Sequence, residues 1–136
     1  MASKTTYVIE GMNVRSLEDF WKEISRVLVP GVTWGRNLDA LNDILRGGFG
    51  TPDEGFILIW KNSKYTREYL GYSETVRQLN LRLRTCHASQ HQNVTKLLEA
   101  AQNRNGPTVF DWLTSVISDH GPTGSQSEDN VELRLE

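Results

Sequence analysis

Two aspartates, Asp39 and Asp43, lie four residues apart in a segment with helical periodicity. Residues at this spacing project from one face of an α-helix, and like charges there cost about a few tenths of a kcal/mol. Leu38, Leu41 and Leu45 fall on the opposite side and predict contact with a core. Only Asp39 lies in the first turn, where the helix dipole favours an anion. The pair therefore forms either a solvated acidic face or a surface for a cationic partner.

Other residues with chemical potential form weaker patterns. Cys86-His87 and His91 lack the paired spacings of zinc motifs and fall at a predicted helix–helix junction. The run Gly47-Gly48-Phe49-Gly50 lacks the Lys-Ser/Thr that completes a phosphate-binding loop. No His or Lys accompanies the aspartate pair as an acid–base partner. We therefore predict no metal site, no cofactor and no enzymatic activity.

The composition is that of one ordinary domain. The chain has 136 residues, a net charge of −2 and one cysteine, so no intramolecular disulfide forms. No segment has the apolar length of a membrane span, and the first residues lack a secretory apolar region, so we expect a cytoplasmic protein. A nucleic-acid surface is conceivable at Arg77, Arg82, Arg84 and Lys96, but an acidic pI without interleaved aromatic residues argues against direct nucleic-acid binding.

The charges are distributed unevenly along the chain. Residues 10–54 carry eight acidic and five basic residues, whereas residues 61–104 carry eight basic and three acidic ones. Residues 119–136 are acidic again, with five acids and one base. Such asymmetry orients a protein toward a charged partner, although the same charges also suit ordinary solvated faces.

Three segments predict strands, near 7–10, 56–61 and 131–135. The run Phe56–Trp60 is apolar throughout, which is typical of a strand covered on both faces in a parallel sheet. Helices are predicted between the strands: after the caps Ser16 and Asn37, over 65–70 and 73–84, from Ser89 to about 102, and after Thr108. The order predicts an α/β fold, with a small three-stranded, mainly parallel sheet flanked by helices.

We expect residues 1–136 to form a single domain. The segment at about 64–104, between the second strand and the last helix, is predicted to be mainly helical. The polar run at about 122–130 is expected to be a mobile loop.

The segment from Trp34 to Gly48 carries a specific pattern. The pattern begins with an aromatic residue followed by Gly, and after one variable residue it continues as Asn-Leu-Asp-Ala-Leu. After a second variable residue comes another Asp, and a Gly follows at the end of the helix. This pattern resembles the binding helix of the barstar family of ribonuclease inhibitors. The resemblance covers residues 7–63 well and 107–136 more loosely, and it implies a barstar-like fold. The chain departs from that fold by an enlarged insert of extra helices at about 64–104.

The resemblance also implies a set of partner-binding residues. Asp43 would enter the phosphate-binding centre of a ribonuclease, and Asp39 would pair with a neighbouring cationic group. Asn37, Gly35 and Gly47 would let backbone atoms approach the partner closely. The inhibitor would act by blocking the active site, without chemistry of its own.

The chain departs from the family pattern beside the acidic pair. The family has aromatic residues around the pair, whereas the matching positions here are Thr33, Asn42 and Gly48. Trp34 is the nearby aromatic, and we expect it to be partly exposed. Arg46 adds a positive charge that would repel a basic cleft. We count Trp34, Asn42 and Arg46 among the partner-binding residues.

The expected partner is a small basic ribonuclease or a similar toxin protein, and the expected state is a monomer without a membrane contact. The alternative is a barstar-like binding or immunity protein for a different basic partner, with the insert as a second possible contact surface.

Overall fold

The computed structural model of the protein describes residues 4–47 and 49–136. Within them, three strands form one sheet in the order β1 (Thr5–Glu10), β2 (Phe56–Lys61) and β3 (Val131–Leu135). Both strand pairs are parallel, and Tyr7 is in register with Leu58. The predicted α/β fold with a small parallel sheet is confirmed.

The helices lie between the strands, as their periodicity predicts. Two precede β2, and four lie between β2 and β3. Their bounds are α1 Leu17–Val27, α2 Leu38–Arg46, α3 Ser63–Tyr69, α4 Tyr72–Thr85, α5 His91–Gln102 and α6 Val109–Asp119. Short 3-10 turns occupy Gly11–Asn13, Ala88–Gln90 and Ser127–Asp129.

The two faces of the sheet are covered to different extents. Along β2, Phe56, Leu58 and Trp60 are buried, whereas Ile57 and Ile59 are only half-buried. Both faces of β2 are therefore covered, as its apolar sequence predicts, but one face is covered more completely than the other. A run of five apolar residues shows that a strand is apolar on both faces, but not how much of each face the neighbouring elements reach.

The main core is built around Trp60 of β2. Its ring lies 5.1 Å from that of Phe20 on α1 and 5.0 Å from that of Phe110 on α6, measured between centroids. Its indole N–H donates to the hydroxyl of Thr66 on α3. One fully buried tryptophan thus joins the sheet to three helices, since its apolar body is large and its single polar atom has a partner.

The predicted insert at about 64–104 contains α4, α5 and nearly all of α3. Helices α4 and α5 enclose a small apolar cluster of their own, made of Leu79, Val94, Leu98 and Ala101. Trp112 of α6 packs against this cluster and against the main core. The Glu74 carboxylate also accepts the backbone N–H of Leu17 at 2.8 Å, which attaches α4 to the start of α1. The insert is therefore fixed to the rest of the protein by both apolar and polar contacts.

Helix caps confirm most of the predicted starts. Ser16 accepts the N–H of Asp19, and Thr108 forms a capping box with Asp111. The predicted cap at Ser89 is wrong, because the ring of His87 accepts the Ser89 N–H and a 3-10 turn precedes α5. An imidazole nitrogen can replace a hydroxyl as the capping acceptor, and sequence spacing does not distinguish the two.

The segment after α6 forms a loop with several hydrogen bonds. The Asp119 carboxylate accepts from the Ser125 backbone and hydroxyl and from the Gln126 amide. The mobility predicted for about 122–130 stays a prediction, which amide hydrogen exchange would test. No helix in the described ranges is long and apolar enough to cross a membrane.

Candidate functional site

The site is built on α2, which is fixed at both ends. The Asn37 side chain caps the first turn by accepting the N–H of Ala40 at 2.8 Å. The helix ends at Gly47, whose φ of +97° favours glycine. Leu41 and Ile44 are fully buried beneath the helix. The helix therefore presents a defined outer face, and its position does not depend on a partner.

Both predicted carboxylates lie on that outer face. Asp39 is exposed, and no hydrogen bond or ion pair engages its side chain within the described ranges. Asp43 is 58% exposed, and its carboxylate lies 3.8 Å from the Arg46 guanidinium. A contact of that length at the surface contributes little, so both carboxylates are available to a cationic group.

Arg46 is held toward the C-terminal loop. Its Nε donates to the amide oxygen of Gln126 at 2.7 Å. The positive charge also lies in the last turn of α2, where the helix dipole favours a cation. Arg46 therefore has a local structural reason to be present beside Asp43, apart from any effect on a partner.

Trp34 differs from the prediction. Its side chain is only 9% exposed, so the expected partial exposure is wrong. Its indole N–H donates to the Ser25 hydroxyl at 2.7 Å, and its ring lies edge-on to Trp21 with centroids 5.6 Å apart. Trp34 is buried because α1 supplies both an aromatic face and a hydroxyl acceptor for it. It fixes the segment before α2 and offers little surface to a partner.

Asn42 is also directed into the protein. It is half-buried, and its side-chain oxygen accepts from His120 Nε2 at 2.7 Å and from Gln126 Nε2 at 2.9 Å. That oxygen is therefore not free for a partner, unlike our expectation for this residue. Asn42 lies one residue before Asp43, so its side chain projects from the flank of α2 and not from the outer face. On that flank it meets His120 and Gln126.

The glycines have structural roles that sequence spacing did not resolve. A Cβ on Gly35 would lie 3.0 Å from the Ala40 Cβ, and one on Gly47 would lie 3.1 Å from an Asp53 carboxylate oxygen. The chain itself therefore approaches both glycines closely. Their contact with a partner stays a prediction.

A comparison with known families agrees with this geometry. The family described as Barstar (barnase inhibitor) matches residues 5–133, nearly the whole chain. The chain belongs to the barstar family. The match includes α2 with Asp39 and Asp43, and its range spans the α4–α5 insert. A search of curated proteins found no match.

Barstar-family members are inhibitors and not enzymes. The described residues contain no group of three His, Cys, Asp or Glu side chains that could hold a metal ion. His87, in the pattern considered for metal binding, instead caps the turn before α5.

Two residues near α2 were missed in the sequence analysis. Phe49 is 39% exposed in the loop after the helix and supplies an aromatic surface next to the position where the family pattern is broken. Asp53 is exposed, and its carboxylate lies beside Gly47. Its negative charge near the C-terminus of α2 opposes the helix dipole. Neither residue belongs to a helical period. The only sequence signal for them is that the irregular loop after α2 contains an aromatic and an acidic residue.

The loop beside the site has one strongly perturbed carboxyl group. The Gln126 amide and the Ser125 hydroxyl and backbone N–H donate to Asp119 and lower its pKa to about 2. Asp119 is therefore ionised at neutral pH, and its carboxylate accepts these three hydrogen bonds from the loop. Gln126 extends from this carboxylate to Asn42 and Arg46, which connects the loop with the inner flank of α2.

Proposed function

We propose that this barstar-family protein is an intracellular inhibitor that blocks the active site of a small ribonuclease with α2. The observation that carries the proposal is the exposed pair Asp39 and Asp43 on one face of a helix that buries Leu41, Ile44 and Leu45 on the other. A rigid acidic face needs little rearrangement to bind, so little of the binding free energy is lost to ordering.

The carboxylates would take the place of RNA phosphates. A ribonuclease binds its substrate through cationic side chains, and hydrogen bonds between ionised partners are the strong ones. Asp43 would enter the phosphate-binding centre, and Asp39 would pair with a cationic group nearby. The weak contact between Asp43 and Arg46 would be replaced at small cost, because both side chains are more than half exposed.

The surrounding residues would complete the contact. Asp53 extends the negative surface toward the end of α2, and Phe49 offers an apolar contact beside it. Opposite charges on the two proteins would accelerate their association, and salt would slow it. Gly35 and Gly47 would allow close approach at the two ends of the helix.

The test is to mix the protein with a panel of small basic ribonucleases and to measure residual RNA cleavage. We expect stoichiometric inhibition of at least one nuclease and a loss of inhibition in Asp43→Ala and Asp39→Ala. Glu99→Ala removes an exposed carboxylate from α5 and is the matched control, which should inhibit normally.

Three results would count against the proposal. Normal cleavage across the panel would remove the support for a ribonuclease as target. Inhibition that survives both aspartate substitutions would refute the proposed mechanism. Binding without loss of cleavage would favour a basic partner of another kind.

A further inference from the structure

A groove lies between α1, the start of α2, α4 and α6, with a volume of about 350 Å³. Its apolar lining includes Trp21, Leu38 and Trp112, and its basic lining includes Arg36, Arg82 and Arg84. The α4–α5 insert thus supplies two of these three arginines. The groove is distinct from the outer face that carries Asp39 and Asp43.

The three arginines have no carboxylate partner within the described ranges. No Asp or Glu oxygen there lies within 4.0 Å of Arg36, Arg82 or Arg84, although Arg82 lies over the Trp112 ring at 5.6 Å. In contrast, Arg77 on the same helix is saturated by Glu18 and Glu74. The groove therefore has an uncompensated positive charge. Glu18 lines an adjoining depression that shares Trp21 and Arg36 with the groove, and it is already paired with Arg77.

The groove is continuous with the acidic face of α2. Arg36, Asn37 and Leu38 line it, and Asp39 is the next residue. Arg36 has a φ of +51°, which a non-glycine residue rarely adopts. A protein bound at Asp39 and Asp43 would therefore lie next to the groove. The surface charge changes from negative on the outer face of α2 to positive in the groove.

We infer that the groove is a second contact site for the partner bound at Asp39 and Asp43, and that it takes an acidic segment carrying an apolar side chain. The inference rests on the proposed function for the identity of the partner. Guanidinium groups bind carboxylates through paired hydrogen bonds, and the apolar floor provides a site for a buried side chain. Adjacent patches of opposite sign would fix the orientation of the partner.

A protein segment fits the groove better than RNA does. RNA binding by stacking requires exposed aromatic faces. Trp21 is only 6% exposed, and the half-buried Trp112 carries Arg82 over its ring. The floor therefore offers edges of apolar groups rather than open platforms, which suits an aliphatic or aromatic side chain between carboxylates.

The first experiment follows the tryptophan indole N–H signals of the ¹⁵N-labelled full chain by NMR. The probe is a short peptide of glutamates around a central phenylalanine. We expect it to shift the signals of Trp21 and Trp112, which line the groove, and to leave the signal of the buried Trp60 unchanged. Arg36→Gln combined with Arg84→Gln should weaken this binding about tenfold, whereas Arg134→Gln on β3 and Asp43→Ala should not.

The second experiment measures the affinity for a ribonuclease identified in the inhibition panel. The Arg36→Gln, Arg84→Gln variant should bind about tenfold more weakly than the native chain, and lysine at both positions should restore only the part of the affinity that comes from positive charge. Native affinity in the glutamine variant, together with weak binding of Asp43→Ala, would overturn the second contact site and leave the proposed function intact.

Two further outcomes distinguish the claims. Absence of peptide-induced shifts, or stronger shifts with a short oligouridine than with the peptide, would overturn the inferred acidic ligand. Peptide binding in the groove without inhibition of any ribonuclease would instead refute the proposed function, while the chemistry of the groove would stand.

Discussion

Asn42, between the two aspartates of α2, accepts a hydrogen bond from the fully buried His120, with 2.7 Å between the side-chain oxygen and Nε2. The other ring nitrogen of His120 lies 2.6 Å from the Asp129 carboxylate. One imidazole thus connects the acidic helix, the end of α6 and the loop before β3. This connection holds the flank of the proposed inhibitory helix against the end of α6 and the loop.

Removal of the His120 ring should destabilise the protein. In His120→Leu, the Asn42 amide oxygen keeps only its hydrogen bond from Gln126, and the Asp129 carboxylate loses its contact with the ring. The first loss costs about 0.5–1.5 kcal/mol, and the second, at a charged group, costs about 1.5–3 kcal/mol. We expect urea unfolding to show a decrease of at least about 2 kcal/mol in the free energy of unfolding. His91→Leu, an exposed control, should change it by less than about 0.5 kcal/mol. Equal stability of the two variants would show that the connection is not important.

The attachment of the insert through Glu74 should depend on pH. Burial raises the pKa of Glu74, but hydrogen bonds from Arg77, the Leu17 backbone and Gln78 outweigh it and hold the pKa below its usual 4.5. The unfolded chain therefore takes up this proton at higher pH than the folded chain. The stabilisation is present above pH 4.5 and is lost as the pH falls through the lower folded value.

Glu74→Gln should therefore reduce stability at pH 7 and flatten its decline in acid. Urea unfolding between about pH 3 and 7 measures both effects. The remaining slope should come partly from Glu23, whose pKa is also lowered, because hydrogen bonds from Arg26 and the Glu10 backbone outweigh the effect of burial. An unchanged pH profile in Glu74→Gln would contradict this assignment.

A side chain at Gly47 should strain the end of α2. Its φ of +97° and ψ of −176° fall in a region used almost only by glycine, and a Cβ would lie 3.1 Å from an Asp53 oxygen. Strain of this kind costs about 1–3 kcal/mol. Gly47→Ala should lower the thermal midpoint of unfolding. Gly31 also has a positive φ, but open space surrounds it, so Gly31→Ala is a control for backbone strain without a side-chain contact.

Truncation of Phe49 should affect binding and not folding. Its side chain is 39% exposed, so Phe49→Ala should change the free energy of unfolding by less than about 0.5 kcal/mol. If it contacts the partner beside Asp43, the dissociation constant should rise about fivefold or more, which corresponds to about 1 kcal/mol. Unchanged affinity for an inhibited ribonuclease would remove Phe49 from the interface.

Much of the fold could be predicted, because its elements have strong local signals. The spacing of Leu38, Leu41 and Leu45 with a capping Asn37 predicted α2, and the alternating end of the chain predicted β3. The surroundings of single side chains could not be predicted in this way. Trp34 is buried by Ser25 and Trp21, and Asn42 is directed inward by His120, which is 78 residues away in the sequence.

The sequence predicted the two acidic residues of the candidate site, but not the other residues that surround them. Asp39 and Asp43 lie on an exposed helical face, as their spacing requires. The groove beside them combines residues from α1, α2, α4 and α6, so no local pattern indicates it. Phe49 and Asp53 lie in an irregular loop, where no periodicity relates a residue to the helix it adjoins.

The central claim is that the carboxylates of Asp39 and Asp43 carry the inhibition. The most direct measurement is the dissociation constant, by titration calorimetry, of an inhibited ribonuclease with the native chain, Asp43→Ala, Asp39→Ala and the control Glu99→Ala. Loss of a carboxylate buried against a cation should cost at least about 2 kcal/mol, or about 30-fold in affinity. We predict that loss for Asp43→Ala, a comparable one for Asp39→Ala and none for the control. Equal affinity of all four proteins would contradict the account.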